Sequence, residues 1–246
     1  MTREEALALY DPIRAGIQRI LRLAPQACSK ADLSRAVKQI LSGAEAVPDD
    51  DQVLAMLMDI ALFEPNQRGR RAYDGFLAKG AAALPPPDRA LAEAMAGARF
   101  SLFRAAGRHE TAGLWVEDLL AADARLWLLD KSLEASAPEG LAFGLRLFDA
   151  GPFHAGFGII VPVDEETLAF AREAAARGGR LPFRHSLAAT LYGDVLRERF
   201  PSPADEALME MLGSLLEGSA KGEGREPAGG GTRQPPAPSA SRRRRK

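Results

Sequence analysis

The sequence predicts an α+β protein, mainly helical: a helical body flanking a small antiparallel β meander or barrel, followed by a disordered basic C-terminal tail. Three observations carry that prediction. Apolar residues recur at helical spacing up to residue 97 and again after residue 164. Between them lie five short runs rich in aromatic, β-branched and leucine residues, separated by Gly, Pro, Asp and Ser turns. The last stretch is Gly, Pro, Ser, Ala and Arg with nothing to bury. The divisions are 1–97 helical, 98–163 β-rich, 164–218 helical and packing back on the N-terminal region, and 219–246 disordered tail.

Ile13, Ile17, Ile20 and Leu21 form one stripe of a first helix, opened by Pro12 in its first turn and stopped by Pro25. Ser29 and Asp32 have the spacing of a capping box, and Leu33, Val37, Ile40 and Leu41 continue a second helix to Gly43. Asp49, Asp50 and Asp51 suit the positive end of a helix dipole. From Val53 to Phe63 apolar residues then cover nearly every face, so residues 50–64 read as a buried central helix. Tyr73, Phe76 and Leu77 share a face over 70–79. After Pro85-Pro86-Pro87, Asp88 caps a helix to about Ala96.

The β-rich runs are 100–104, 113–119, 125–130, 141–148 and 158–163. A helix is the alternative for one of them, near 121–129, where Leu and Ala are common. Helices resume with Leu168, Ala171, Ala174 and Ala175, then Leu187, Leu191 and Val195. A last amphipathic stripe runs through Ala207, Leu208, Met211, Leu212, Leu215 and Leu216.

The net charge of −1 averages two unlike regions. Residues 219–246 carry eight basic and two acidic side chains, which places +6 there and −7 on residues 1–218. An acidic body does not attract a polyanion. The single cysteine, Cys28, cannot form an intrachain disulfide, the start lacks the basic and apolar regions of a signal peptide, and no apolar run is long enough to span a membrane. The expected compartment is the cytoplasm.

Motifs are absent where chemistry would need them. His109, His154 and His185 are far apart and unaccompanied by cysteines, so no metal is expected. Consecutive carboxylates at 49–51 point in different directions and cap a helix better than they hold a cation. Gly156-Phe157-Gly158 lacks the third glycine and strand-to-helix context of a dinucleotide site, Gly229-Gly230-Gly231 has no Lys-Ser/Thr after it, and Ser186 beside His185 has no nucleophile elbow. No cofactor is implied. The helix pair 29–41 and 50–64 does not read DNA, because its second helix would meet phosphate with three aspartates.

Trp115 and Trp127 join six phenylalanines of the β-rich stretch as candidates to fill a small barrel; any left exposed would form a partner surface. The runs Ala98-Arg99-Phe100-Ser101-Leu102-Phe103, Gly113-Leu114-Trp115-Val116-Glu117-Asp118-Leu119 and Leu145-Arg146-Leu147-Phe148 resemble the central region of uncharacterised bacterial proteins of the kind that sometimes carry a SEC-C zinc motif. The resemblance covers about residues 73–163. It implies helical flanks around a small β domain and no established reaction. The tail here has no cysteine, so the zinc site does not carry over.

The absence of a catalytic cluster beside an aromatic-rich β segment favours a non-enzymatic interaction or adaptor protein whose partner is another protein. Two alternatives stay open. One is an enzyme or small-ligand-binding domain in which Arg99, Asp118, Asp130, Arg146 and His154 converge at the β module. The other is weak tethering of nucleic acid or an anionic surface by Arg242, Arg243, Arg244, Arg245 and Lys246.

Overall fold

Thr2 starts the first helix, ten residues before Pro12. In the computed structural model, which describes residues 1–41, 48–121, 124–176 and 186–200, α1 spans Arg3–Leu23. Thr2 and Glu5 form a reciprocal capping box, with the Glu5 N–H donating to Thr2 Oγ1 at 3.2 Å and the Thr2 N–H to Glu5 Oε2 at 2.8 Å. Pro12 therefore lies inside the helix, a correction to its expected place in the first turn. It sits on the exposed side, while Ala6, Tyr10, Ile17 and Ile20 keep the buried stripe continuous.

The second helix, α2 (Lys30–Ile40), has the predicted Ser29–Asp32 capping box. The third, α3 (Asp51–Phe63), is N-capped by Asp50, whose Oδ1 accepts from the N–H groups of Gln52 and Val53. Burial of α3 is extensive but not complete, since Leu54 is 53% exposed. Next come α4 (Ala72–Lys79) and α5 (Pro86–Met95). Asp88 does not cap α5; it lies within the first turn and holds Arg19 of α1 through two hydrogen bonds of 2.7 and 2.9 Å. Gly16 lets α1 and α5 approach, because a Cβ there would run into the Leu91 side chain.

Five strands follow: β1 (Arg99–Arg108), β2 (Leu114–Asp118), β3 (Ala124–Leu128), β4 (Ala142–Asp149) and β5 (His154–Pro162). Within the stretch where a helix was the alternative, Ala124–Leu128 are thus a strand. A short helix absent from the sequence reading, α6 (Lys131–Ser136), sits between β3 and β4, and α7 (Glu165–Ala176) and α8 (Leu187–Arg199) complete the described chain. The expected helix at 207–216 and the tail lie outside the described residues.

Neighbouring strands run β1-β2-β3-β5-β4, with β4 returning to β1. Four pairings are antiparallel, but β3 and β5 meet in parallel through one bridge, Leu128 with His154. That single rung makes a curled mixed sheet with a thin seam, rather than a barrel laced on every side. The antiparallel expectation fails at this pair because five strands close the circuit: four antiparallel pairings leave β3 and β5 pointing the same way.

Side chains alternate between the two faces. Phe103, Ala105, Leu114, Val116, Leu128, Phe143, Leu145 and Leu147 fill the concave interior, joined by Leu133 of α6. The outer face of β1, β4 and β5 is packed by helices: Leu102, Ala142 and Val161 share a core with Ile40, Met56, Ile60 and Tyr192. Phe148, Ala155 and Phe157 share another with Ile17, Ile20, Phe63 and Met95. Each buried aromatic of this kind contributes about 1.5–3 kcal/mol.

A bulge in β5 aims Phe157 into that second core. Leu147 pairs with Gly156 but Leu145 with Ile160, which leaves Phe157, Gly158 and Ile159 out of register. Gly158 takes φ +94°, and a Cβ there would strike the guanidinium of Arg14. That guanidinium donates to the Gly156 carbonyl at 3.2 Å.

Candidate functional site

The five β-module residues that the sequence offered as a pocket occupy separate places. Arg99 and Asp118 do meet, with Arg99 Nη2 3.0 Å from Asp118 Oδ2. Asp118 is 1% exposed, and its Oδ1 accepts from Ser101 Oγ at 2.6 Å and the Leu120 N–H at 3.1 Å. The Arg99 contact is an ion pair without hydrogen-bond alignment, since Oδ2 has no properly directed donor.

Arg146 projects from the opposite face of the sheet. Its Nε and Nη2 donate to the two Asp59 oxygens at 2.8 and 3.0 Å, and Nη2 also donates to Glu64 at 2.7 Å. The Tyr192 hydroxyl donates to the same Asp59 at 3.2 Å, and the guanidinium lies over the Phe63 and Phe100 rings. Burial alone would lower the Arg146 pKa; the Asp59 and Glu64 carboxylates outweigh it and hold the guanidinium charged. Burial, with Asp59 adjacent, pushes the Tyr192 phenol well up. This group joins α3, β4 and α8 and leaves no approach for a ligand.

Asp130 N-caps α6, accepting from the Ser132 and Leu133 N–H groups and from Ser132 Oγ. His154 opens β5 opposite Asp149 and Leu128, and its carbonyl accepts from the Leu129 N–H. The five residues therefore form no common pocket. Arg242 to Lys246 lie outside the described residues.

A different group gathers on the outside of the β2–β3 hairpin. Trp115 and Trp127 are cross-strand partners, as are Glu117 and Arg125. Because side chains alternate, both tryptophans face away from the apolar interior that Leu114, Val116 and Leu128 enter. The reading of Trp115 and Trp127 as interior filling is corrected here: both are half-buried on the outer face, and Phe103 and Phe143 fill the interior.

His109, at the turn between β1 and β2, slots between the indoles. Its ring stacks on Trp127 at 3.9 Å and 5°, and lies 4.5 Å from Trp115. Arg125 covers the Trp115 ring at 4.6 Å. Phe153 meets Trp127 edge-on and Tyr10 of α1 meets Phe153, so a ladder of rings runs from the hairpin to α1. The polar ends are satisfied: Trp115 Nε1 donates to Glu110, and Trp127 Nε1 to the Ala112 carbonyl at 2.6 Å.

Burial lowers the His109 pKa, with Arg125 adding to the effect and Glu110 opposing it. Glu110 is itself held low by a backbone N–H and by the Trp115 indole. No nucleophile stands within this group, and His109 has one nitrogen engaged by backbone, so acid–base chemistry on an outside substrate has no support here. What the face offers is aromatic edges and Arg125, residue types that dominate binding energetics at protein interfaces, flanked by Glu110 and Glu117.

Alternation carried the signal for this face. Trp115 shares its side of the strand with Glu117, and Trp127 with Arg125. His109 had no local signal, because its partners are brought to it by strand pairing. A small open cleft of about 270 Å³ lies nearby at the end of the sheet, lined by Ala105, Gly107, Arg108, Leu114, Ala137 and Glu139. Among the described residues no group of three or more His, Cys, Asp or Glu could hold a metal ion, and no helix is long and apolar enough to cross a membrane.

A family model, described as a family of unknown function (DUF7986), matches residues 4–170. No curated protein and no solved structure matches the chain.

Proposed function

We propose, for a chain that belongs to the family of unknown function DUF7986, that it is a non-enzymatic interaction protein that docks another protein on the outer face of the β2–β3 hairpin. The observation that supports this is a contrast between two parts of one sheet. Helices pack on β1, β4 and β5, while on the outer face of β2 and β3 Trp127 packs toward a core shared with α1 and Trp115, Glu117 and Arg125 stay half-buried or exposed beside it. Aromatic rings already fixed by stacking lose little conformational freedom on binding, and an arginine over an indole adds a directed charge.

The test is purification of the chain with its bound proteins from native lysate, after nuclease treatment, for three forms: full length, residues 1–218, and Arg125→Glu. Arg125 is exposed, so reversing its charge leaves the core alone. The expected result is one defined protein kept by the first two forms and weakened about 10- to 30-fold by Arg125→Glu, the size of a 1.4–2 kcal/mol contact at the centre of an interface. Capture indifferent to Arg125→Glu would place the partner elsewhere. Capture seen only before nuclease treatment and only with residues 219–246 would favour tethering by the arginine run.

A further inference from the structure

His109 accepts a backbone hydrogen bond that only an unprotonated ring nitrogen can accept. The Thr111 N–H donates to His109 Nδ1 at 3.0 Å, which fixes the neutral ring with its hydrogen on Nε2. Adding a proton to Nδ1 would set two donors facing each other across that distance. The ring cannot swing out to relieve the clash without leaving the slot between Trp115 and Trp127, where its side chain is only 10% exposed.

Much hangs on the turn that this bond holds. The Ala112 carbonyl accepts from Trp127, the Thr111 carbonyl accepts from Arg3 of α1, and the Gly113 carbonyl accepts from the His109 N–H. Gly113 has φ +78°, and a Cβ there would collide with the backbone of Leu128 and Leu129, so the turn has one tight path past β3.

We propose that His109 is a proton-operated latch on the docking face: neutral, it pins the β1–β2 turn and the two tryptophans; protonated, it releases Thr111 and the face rearranges. As a regulatory device this rests on the docking reading above, but the latch itself does not.

The charges that face the ring set the direction. Glu110, in the same turn, has Oε2 3.7 Å from His109 Nε2, beyond hydrogen-bond reach, and is engaged with Trp115. Arg125 comes from β3 and repels an imidazolium. Arg3 of α1 and Glu134 of α6, on the far side of the turn, neutralise each other. Burial and Arg125 outweigh Glu110, so the locked form binds the proton less readily than a free histidine. The locked form is therefore favoured above the ordinary imidazole range, and loses stability as pH falls through it.

The chain contains two tryptophans, and both touch His109. Imidazolium quenches an adjacent excited indole, so intrinsic fluorescence of the full-length protein reports the protonation directly. We expect emission to fall on acidification with a midpoint below 6.5, while far-UV circular dichroism stays constant and the Thr111 amide loses protection relative to its intrinsic exchange rate at each pH. His109→Asn is the matching control: an Asn side-chain oxygen can take the same N–H two residues ahead, yet does not titrate. It should remove the fluorescence midpoint and keep Thr111 protected at both pH values.

A flat titration in the native chain would overturn the latch. So would an unchanged midpoint in His109→Asn, which would assign the transition to another group, or a fluorescence change that merely follows loss of ellipticity. None of these measurements uses a partner, and the Arg125→Glu capture is made at pH 8, above the ordinary imidazole range, so the two readings fail separately.

Discussion

Arg146 is a charge taken out of water and satisfied on every side that matters. Two carboxylates, one phenol and two aromatic faces surround it, and each comes from an element distant in sequence. Removing Asp59, which accepts two of the guanidinium's three carboxylate hydrogen bonds, leaves that buried charge with Glu64 alone. Asp59→Ala should lower unfolding stability by about 3–5 kcal/mol in a urea titration. Tyr192→Phe removes one hydrogen bond and leaves the ion pair, so about 1 kcal/mol is expected. Equal losses from the two changes would mean that the ion pair itself contributes little. Cys28 poses the opposite case, a polar group left quiet by its surroundings. Burial and the nearby Asp32 push its thiol up to about 11. At pH 7.5 the folded protein should react with an alkylating reagent tens of times more slowly than a free thiol, and at the ordinary rate in urea. Fast labelling of the native chain would contradict the packing around Ser29 and Asp32.

At the scale of elements, end signals and periodicity explain what was readable. The Ser29–Asp32 box and the aspartates before α3 can be recognised in sequence because a cap needs only partners two or three residues away. Asp50→Ala should therefore destabilise by about 1–2 kcal/mol. Arg199, which reaches Asp50 from α8 at 2.8 Å, is a surface partner, and Arg199→Ala should cost less than about 1 kcal/mol. A larger loss from Arg199→Ala than from Asp50→Ala, by thermal unfolding, would reverse that assignment. The misreadings have equally local causes. Proline is a frequent helix opener, so Pro12 outweighed a Thr2–Glu5 box that starts the helix earlier. Tryptophan is a frequent core residue, so Trp115 was assigned by type when its neighbour Glu117 already marked the strand face.

The whole molecule depends on cores that belong to neither helices nor sheet alone. Leu102 and Val161 pack with Met56 and Tyr192, and Phe157 packs with Phe63. Helical signal and the environment of Trp115 and Trp127 should then disappear in one coincident urea transition at pH 8; two separated midpoints would mean that sheet and helices unfold apart. Acid should act through ion pairs that tie distant segments. Arg19 holds the Asp88 carboxyl below its ordinary range, and Arg3 does the same for Glu134. Folded values below unfolded ones give stability that is complete above the ordinary carboxylate range and is lost as pH falls through the folded values. In the His109→Asn background, which lacks that imidazole's contribution, midpoints of urea unfolding should hold steady from pH 7 to 5 and drop below about pH 4. Arg19→Met should flatten that drop. Such contacts were invisible in sequence, because nothing near Arg19 points to Asp88, and the pocket candidates, Arg99 with Asp118 apart, failed to meet for the same reason: strand order, with β5 between β3 and β4, is a property of the assembled chain.

The pairing of Arg14 with the bulge at Gly158 also carries an evolutionary constraint. One position supplies a long side chain and the other supplies the vacant space it occupies, with a backbone angle that only glycine adopts freely. Neither can drift alone. Among relatives sharing this fold, a side chain at position 158 should appear only where position 14 has already become small, and the order of the two substitutions along a lineage should be fixed: arginine leaves first, glycine second.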